Sequence, residues 1–443
     1  MTNRNEWRTI DFYMVVTKKS RRKGIRTALR CIEAGFSLAH NALYERIKKH
    51  EPRSTNKISL TWHSAKNFSV SDDRGNRWID LTSGIFVANA GHANPKIKQA
   101  ILKQLNANLL FAYNYPTHSK EQFEAALLRR SPKHLNTIAL LNSGSEAMEL
   151  AYKLIKVYGK RTGKKYIVTF KGNYHGRGLS NDIISGNKEK AGWSGVKDDR
   201  VVFLDFPYNP ETHFNPEKLP PAKKIAGFII ETFQGWGAWF YPRTFINTLA
   251  KFAKKNGALV CFDEMQAGFY RLGPLYGYQT YGAMKPDILA LGKGISSSLP
   301  IAGILARGAL FNTTARADLY GTHSGNPVSC AAALASLEFL SSSKEIARRK
   351  KTIPLFEREL KSLEKFPQIK CVNVRGLVAG IIFKETAEAT EVVLECIRRG
   401  VLPVCTNRES IKIGPPLTIT ASAIREAIGV IREILSERSQ SSS

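Results

Sequence analysis

Seven short apolar runs, at residues 137–141, 166–170, 201–204, 226–230, 258–262, 288–291 and 301–305, constrain this chain more than any other feature. Each is bounded by Gly, Pro or a charge, and text of helical periodicity separates one from the next. Runs of this kind fit strands buried on both faces, and strands alternating with helices form a mostly parallel sheet. The expected fold is α/β: a large domain with a mostly parallel sheet between helices, plus a smaller α+β domain built from the N- and C-terminal segments.

The flanking text supports that division. Residues 1–60 form a basic extension with one helical pattern over about 25–49. Residues 66–80 read as a hairpin, with Asp72-Asp-Arg-Gly-Asn76 as its turn. A helix is expected from Pro327, a strand pair near 371–383 and a final helix near 421–437. The expected segments are the extension 1–60, the N-terminal part of the small domain 61–94, the large domain 95–335 and the C-terminal small domain 336–443.

Composition narrows the function classes. Lys and Arg number 66 against 37 Asp and Glu, a net charge of +29. Such a field attracts anions, nucleic acid among them. No zinc pattern, helix-turn-helix phrase or RNA-binding aromatic phrase accompanies it, so no specific nucleic-acid partner is expected. No apolar stretch is long enough to cross a membrane, and no apolar segment follows a basic start as a signal peptide requires. The six cysteines form no C-x-x-C pair and lie among apolar neighbours. Free thiols, a reducing compartment and a cytoplasmic location are expected, without metal.

In open α/β sheets ligands sit beyond the carboxyl ends of the strands. Five polar or Gly-rich phrases occupy those places: Asn142-Ser-Gly-Ser-Glu146, Lys171-Gly-Asn-Tyr-His-Gly-Arg177, Glu231-Thr-Phe-Gln-Gly235, Asp263-Glu-Met-Gln266 and Gly292-Lys-Gly294. In the first, Gly144 allows close backbone approach and Ser145 is expected to cap a helix whose N-terminus would bind an anion. Asp263 and Lys293 both follow strands and can face one crevice. A lysine of depressed pKa forms Schiff bases with carbonyls, and an aspartate opposite can keep a pyridine nitrogen protonated. Taken singly, these residues read better as a cap, a surface lysine and a helix-capping acid. His175 is expected to be a hydrogen-bonded core histidine, and Glu264 one half of an ion pair.

Together with Gly75-Asn-Arg-Trp-Ile-Asp80, Gly91-His-Ala-Asn-Pro95 and Gly321-Thr-His-Ser-Gly-Asn-Pro327, these phrases resemble the class III aminotransferases. Those are fold type I enzymes dependent on pyridoxal 5'-phosphate (PLP). The resemblance runs from about Trp62 to about Ala427. It implies that Lys293 carries PLP as a Schiff base and shuttles protons, and that Asp263 pairs with the pyridinium nitrogen. It also implies that Gln266 bonds the ring hydroxyl, that Gly144 and Ser145 hold the phosphate, and that Tyr174 stacks on the ring. Thr322 resembles a residue that reaches the neighbouring subunit's phosphate, which implies a homodimer.

Two positions depart from the family pattern. Branches acting on ornithine, acetylornithine and 4-aminobutyrate carry a Glu where this chain has Trp236, and an Arg where it has Lys412. Lys is a point charge without the bidentate fork of Arg. Arg177 matches an arginine that binds a distal carboxylate. Arg177 and Lys412 are therefore expected to hold substrate carboxylates, with Trp236 narrowing the pocket. The expected activity is transfer of an amino group from an amino acid or amine to an oxo acid. The changed Glu–Arg pair leaves racemisation, epimerisation or aminomutation on the same site as the alternative, and the +29 charge leaves a basic nucleic-acid-binding protein as a remote one.

Overall fold

The computed structural model describes residues 42–50, 60–186, 192–315 and 319–441. The basic run at 18–26 and Cys31 lie outside the described residues. Of the helix expected over 25–49, the described part is Ala42–His50.

The central sheet has seven strands: β4 (Thr137–Leu141), β5 (Tyr166–Phe170), β6 (Val201–Leu204), β7 (Ile225–Glu231), β8 (Leu259–Asp263), β9 (Ile288–Leu291) and β10 (Ala302–Ala306). Their order is β4-β10-β9-β8-β7-β5-β6. The apolar runs thus fall where expected, shifted by a residue at some ends. β10 runs antiparallel to both β4 and β9, and the remaining pairs are parallel.

Alternation explains why these strands are apolar throughout. Val260 and Phe262 of β8 join one core cluster, with Leu289 and Leu291 of β9. Leu259 and Cys261, with Ile288 and Ala290, join a second cluster on the opposite face. A sheet covered on both faces has no solvent side for polar residues. The helix Gly144–Arg161 covers the second face with Ala147, Ala151, Leu154 and Ile155, the apolar stripe expected from its spacing.

Two smaller sheets flank this one. The first is β1 (Ser64–Lys66), β2 (Ser69–Ser71), β3 (Arg77–Asp80) and β13 (Val401–Leu402). The hairpin between β2 and β3 forms as expected. The Asp72 carboxylate closes its turn by accepting from the backbone N–H groups of Arg74 and Asn76 at 3.0 and 2.8 Å. β13 pairs parallel to β3, so N- and C-terminal segments share this sheet. The second is β11 (Ile369–Arg375), β12 (Val378–Phe383), β15 (Ser410–Ile413) and β14 (Val404–Cys405), in that order.

That last sheet docks on the loop after β7. Asn373 Nδ2 donates to Gly237 O at 2.9 Å, and Ser410 Oγ donates to Trp236 O at 2.9 Å. A Cβ on Gly380 of β12 would lie 2.1 Å from Gly237 O, so glycine is what allows this approach. The contact brings Lys412 of β15 into the crevice beyond the central strands. Among the described residues, no helix is long and apolar enough to cross a membrane.

Candidate active site

β7, β8 and β9 end side by side, with Glu231 opposite Asp263 and Asp263 opposite Ala290 in the register. Beyond them lies a cavity of about 500 Å³, lined among others by Gly144, Ser145, Tyr174, His175, Arg177, Glu231, Trp236, Asp263, Gln266, Lys293 and Lys412. All five phrases singled out in the sequence contribute to it.

At its floor, Asp263 Oδ2 lies 2.8 Å from His175 Nδ1, and Asp263 Oδ1 accepts from the backbone N–H of Met265 at 3.0 Å. His175 Nε2 lies 3.4 Å from Asn173 Nδ2. An imidazole carrying its proton on Nδ1 satisfies both neighbours, donating to the carboxylate and accepting from the amide. His175 is buried and hydrogen-bonded, as expected. Its partner is Asp263, the carboxylate expected to pair with a pyridinium nitrogen, and no sequence motif signals that contact.

At one end stands the helix Gly144–Arg161. Its cap is Ser143, not Ser145 as the sequence suggested. Ser143 Oγ accepts from Glu146 N, and the Glu146 carboxylate accepts from Ser143 N, a reciprocal capping box. Glu146 occupies the third helical position, which fixes Ser143 as the cap. Ser145 is thereby released to face the cavity, where its Oγ accepts from Arg177 N at 3.1 Å. Gly176, at φ 122°, runs so close that a Cβ there would sit 2.5 Å from Ser145 Oγ.

Lys293 follows β9 at φ 48°, a left-handed backbone rare for a residue with a Cβ. Burial pulls its amine below the ordinary lysine range, while the charges of Asp263 and Glu231 oppose that shift. Glu231 was not singled out individually from the sequence. Burial pushes its carboxyl up to about 7, and its Oε2 accepts from Tyr174 N at 3.1 Å. Lys412 is 6% exposed, and burial, aided by repulsion from Lys293, lowers it to about 7. Its Nζ donates to Gln266 Oε1 at 2.8 Å and lies 4.7 Å from the centre of the Phe86 ring.

Glu264 is fully buried but makes no ion pair among the described residues, contrary to expectation. It accepts from Thr232 Oγ1, Gly277 N and Tyr278 N at 2.6, 2.6 and 2.7 Å. Three donors take the place of a cation in satisfying it.

The rim carries the substrate candidates. Tyr174 is half-buried, and its hydroxyl accepts from Arg177 Nε at 3.1 Å. Trp236 does not meet Lys412 through any hydrogen bond. Its Nε1 donates to Gln234 Oε1 at 2.8 Å, and the Arg408 guanidinium lies 5.1 Å from its ring centre. Arg408 comes from the loop joining β14 to β15, and no sequence motif marks it. Thr322 is exposed and does not line the cavity.

Comparison with known proteins places this geometry. A family model described as aminotransferase class-III matches residues 51–435. A 2-aminoadipate transaminase of Pseudomonas putida is 30% identical over 85% of this chain and 96% of its own. An acetylornithine aminotransferase of Caldanaerobacter subterraneus is 29% identical over 88% of this chain and 98% of its own. The solved ornithine aminotransferase of Toxoplasma gondii superposes with a TM-score of 0.81 at 21% identity, over 94% of this chain and 99% of that one. This last likeness speaks to the fold.

Proposed function

Since the chain belongs to the class-III aminotransferases, we propose that its cavity takes pyridoxal phosphate and moves an amino group from an amino acid or amine to an oxo acid. One observation carries this: Asp263 and Lys293, from the adjacent strands β8 and β9, face a single cavity that also receives a helix N-terminus.

The residues fit the cofactor. Free N–H groups and the Ser145 hydroxyl at the start of an 18-residue helix suit a phosphate. Gly144 and Gly292 keep this region open, since a Cβ on either would lie 2.9 or 2.5 Å from Met265 Sδ. Asp263, braced by His175, suits a protonated pyridine nitrogen, and Tyr174 supplies an aromatic wall. Gln266 offers a hydrogen bond to the ring hydroxyl.

When bound, the cofactor supplies an electron sink for the charge left on the substrate carbon. The protein's own part is positional and acid–base. Burial lowers the Lys293 amine below the ordinary lysine range, which favours its nucleophilic form; with the cofactor in place it would take the proton from the substrate carbon and return it. Arg177 and Lys412 hold substrate carboxylates, and Trp236 narrows the space available to the side chain.

We further place the working unit as a homodimer in which Thr322 reaches the neighbouring site. Leu109, Leu110, Phe111, Tyr113 and Tyr115 are all exposed. They adjoin the Thr322 segment through Phe111 against His323 and Tyr113 against Tyr320, at 5.1 and 6.0 Å between ring centres. An apolar stretch of that size supports a protein interface. The shared sheet of β3 and β13 supports the expected small domain from segments 61–94 and 336–443. The five described cysteines are free, which supports a reducing compartment, the cytoplasm.

The visible spectrum of the purified protein, followed while single amino donors are added, tests the activity. A yellow band that bleaches with one donor, and is lost in Lys293→Ala, is the expected result. A protein that takes up no added cofactor and answers no amine would sink the reading.

A further inference from the structure

We propose that Lys412 is a positioning residue for the cofactor: its amine donates to the Gln266 carboxamide oxygen and leaves the amide N–H groups as the donors offered to the cavity. The inference rests on the reading that this cavity takes pyridoxal phosphate.

The chemistry of the contact fixes its direction. Lys412 Nζ lies 2.8 Å from the end of the Gln266 side chain. Nζ is the donor and Oε1 the acceptor in this contact: the amine has N–H groups to give whether charged or neutral, and a carbonyl oxygen can only accept. Nε2 must then sit on the other branch of the amide. There the backbone of Gly235 makes room for it, since a Cβ on Gly235 would lie 2.3 Å from Nε2. Without the Lys412 donor, the amide is free to turn and present its oxygen, which repels the oxygen of a ring phenolate instead of binding it.

The grip is built into the fold. Lys412 is fixed in β15 between Gly380 of β12 and Val404 of β14. Its sheet is anchored to the loop after β7 by Asn373 and Ser410. Its stem is buried, and the Phe86 ring borders the charge at 4.7 Å. One hydrogen bond therefore links the small C-terminal sheet to the loop that follows Asp263. In the family pattern the arginine at this position answers a glutamate; here Trp236 has replaced the glutamate, and the cation is engaged by Gln266.

The test is a double-mutant cycle read in cofactor affinity, not turnover. Pyridoxal phosphate is titrated into apo wild type, Lys412→Met, Gln266→Leu and the double variant, and the dissociation constant is read from absorbance. Each single change is expected to weaken binding about tenfold, the scale of one lost charge-assisted hydrogen bond. The double variant should be no more than about twofold weaker than the weaker single, because Lys412 acts through Gln266. Lys412→Arg, which keeps the donors, should stay within about threefold of wild type. If Lys412→Met does not fold, as judged by thermal melting, Lys412→Gln runs the same cycle. Losses that multiply to about a hundredfold in the double variant, or an unchanged constant in the Lys412 variant, overturn the proposal. Wild type that takes up no pyridoxal phosphate overturns the underlying reading of the cavity instead.

Discussion

Asp263 and His175 are joined by a 2.8 Å hydrogen bond, Oδ2 to Nδ1, at the floor of the cavity with both side chains withdrawn from solvent. The imidazole holds the carboxylate in one orientation and supplies a donor to a charge that water cannot reach. His175→Ala is expected to weaken cofactor binding and lower kcat/KM by about 10–100-fold, the range of one lost hydrogen bond to a charged group. Asp263→Asn should cost more, because it removes the charge itself. Cofactor titration with steady-state kinetics reads both, and equal effects from the two variants would argue against a positioning role for His175.

In the proposed function Lys293 is both the covalent anchor and the base. Lys293→Ala is expected to reduce turnover by at least about 10³-fold, since it removes the amine that would hold the cofactor and move the proton. Single-turnover spectra with the loaded protein decide this. Residual turnover within tenfold of wild type would place the base elsewhere, with Glu231 the first candidate.

Lys412 titrates at about 7 in the folded protein, against an ordinary value of 10.5. Between those limits the unfolded chain binds a proton the folded chain does not, so this group's contribution to stability rises with pH across the window. Below about pH 7 the folded protein carries the full penalty. Lys412→Met should therefore stabilise the apo protein most at pH 6–7, with the gain fading toward about pH 10. Urea unfolding of both proteins across that range measures it, and a gain that grows with pH contradicts the assignment. Glu231, raised to about 7, runs the other way, its contribution falling from about pH 4.5 to pH 7. Each feels the other's charge, so the comparison is repeated in a Glu231→Gln background to isolate the Lys412 contribution.

Gly235 admits the Gln266 amide because it has no side chain. A Cβ there would meet Nε2 at 2.3 Å. The obstructed atom is the tip of a flexible side chain, so Gly235→Ala should fold with a melting temperature within a few degrees of wild type. Cofactor affinity should fall several-fold as Gln266 is pushed aside, the displacement of one charge-assisted contact. A melting temperature lowered by more than about 10 °C with unchanged affinity would show that the glycine serves the backbone instead.

Arg177 and Thr322 test the substrate and the assembly. Arg177→Ala should raise KM for an amino donor with a second carboxylate by about 10–100-fold, and for its neutral amide by much less. For Thr322, mixing Lys293→Ala subunits with Thr322→Ala subunits should restore one complete site per mixed dimer, with activity above that of either variant alone. No gain on mixing would place Thr322 outside the neighbouring site.

The periodicity of the chain made the central sheet legible. Strands such as β8 and β9 are apolar on both faces because both faces are covered, and a run of that kind is visible without coordinates. The phrases after the strands were legible too, because a ligand crevice lies at strand ends in this architecture. The cap was misplaced by two residues. Both Ser143 and Ser145 can accept a backbone N–H, and only the position of Glu146 in the helix separates them.

By itself the sequence determined the strands, the helix faces and the kinds of groups at the strand ends, because each depends on neighbours within a few positions along the chain. The tertiary structure decided which of those groups meet. His175 and Asp263 are 88 positions apart, and Lys412 and Gln266 are 146 apart. Hydrogen bonds and desolvation depend on distances of a few ångströms, which only the packing of the sheets sets. That is why Arg408 carries no signal in the sequence, and why the contact of Lys412 with Gln266 appears only once the small sheet is in place.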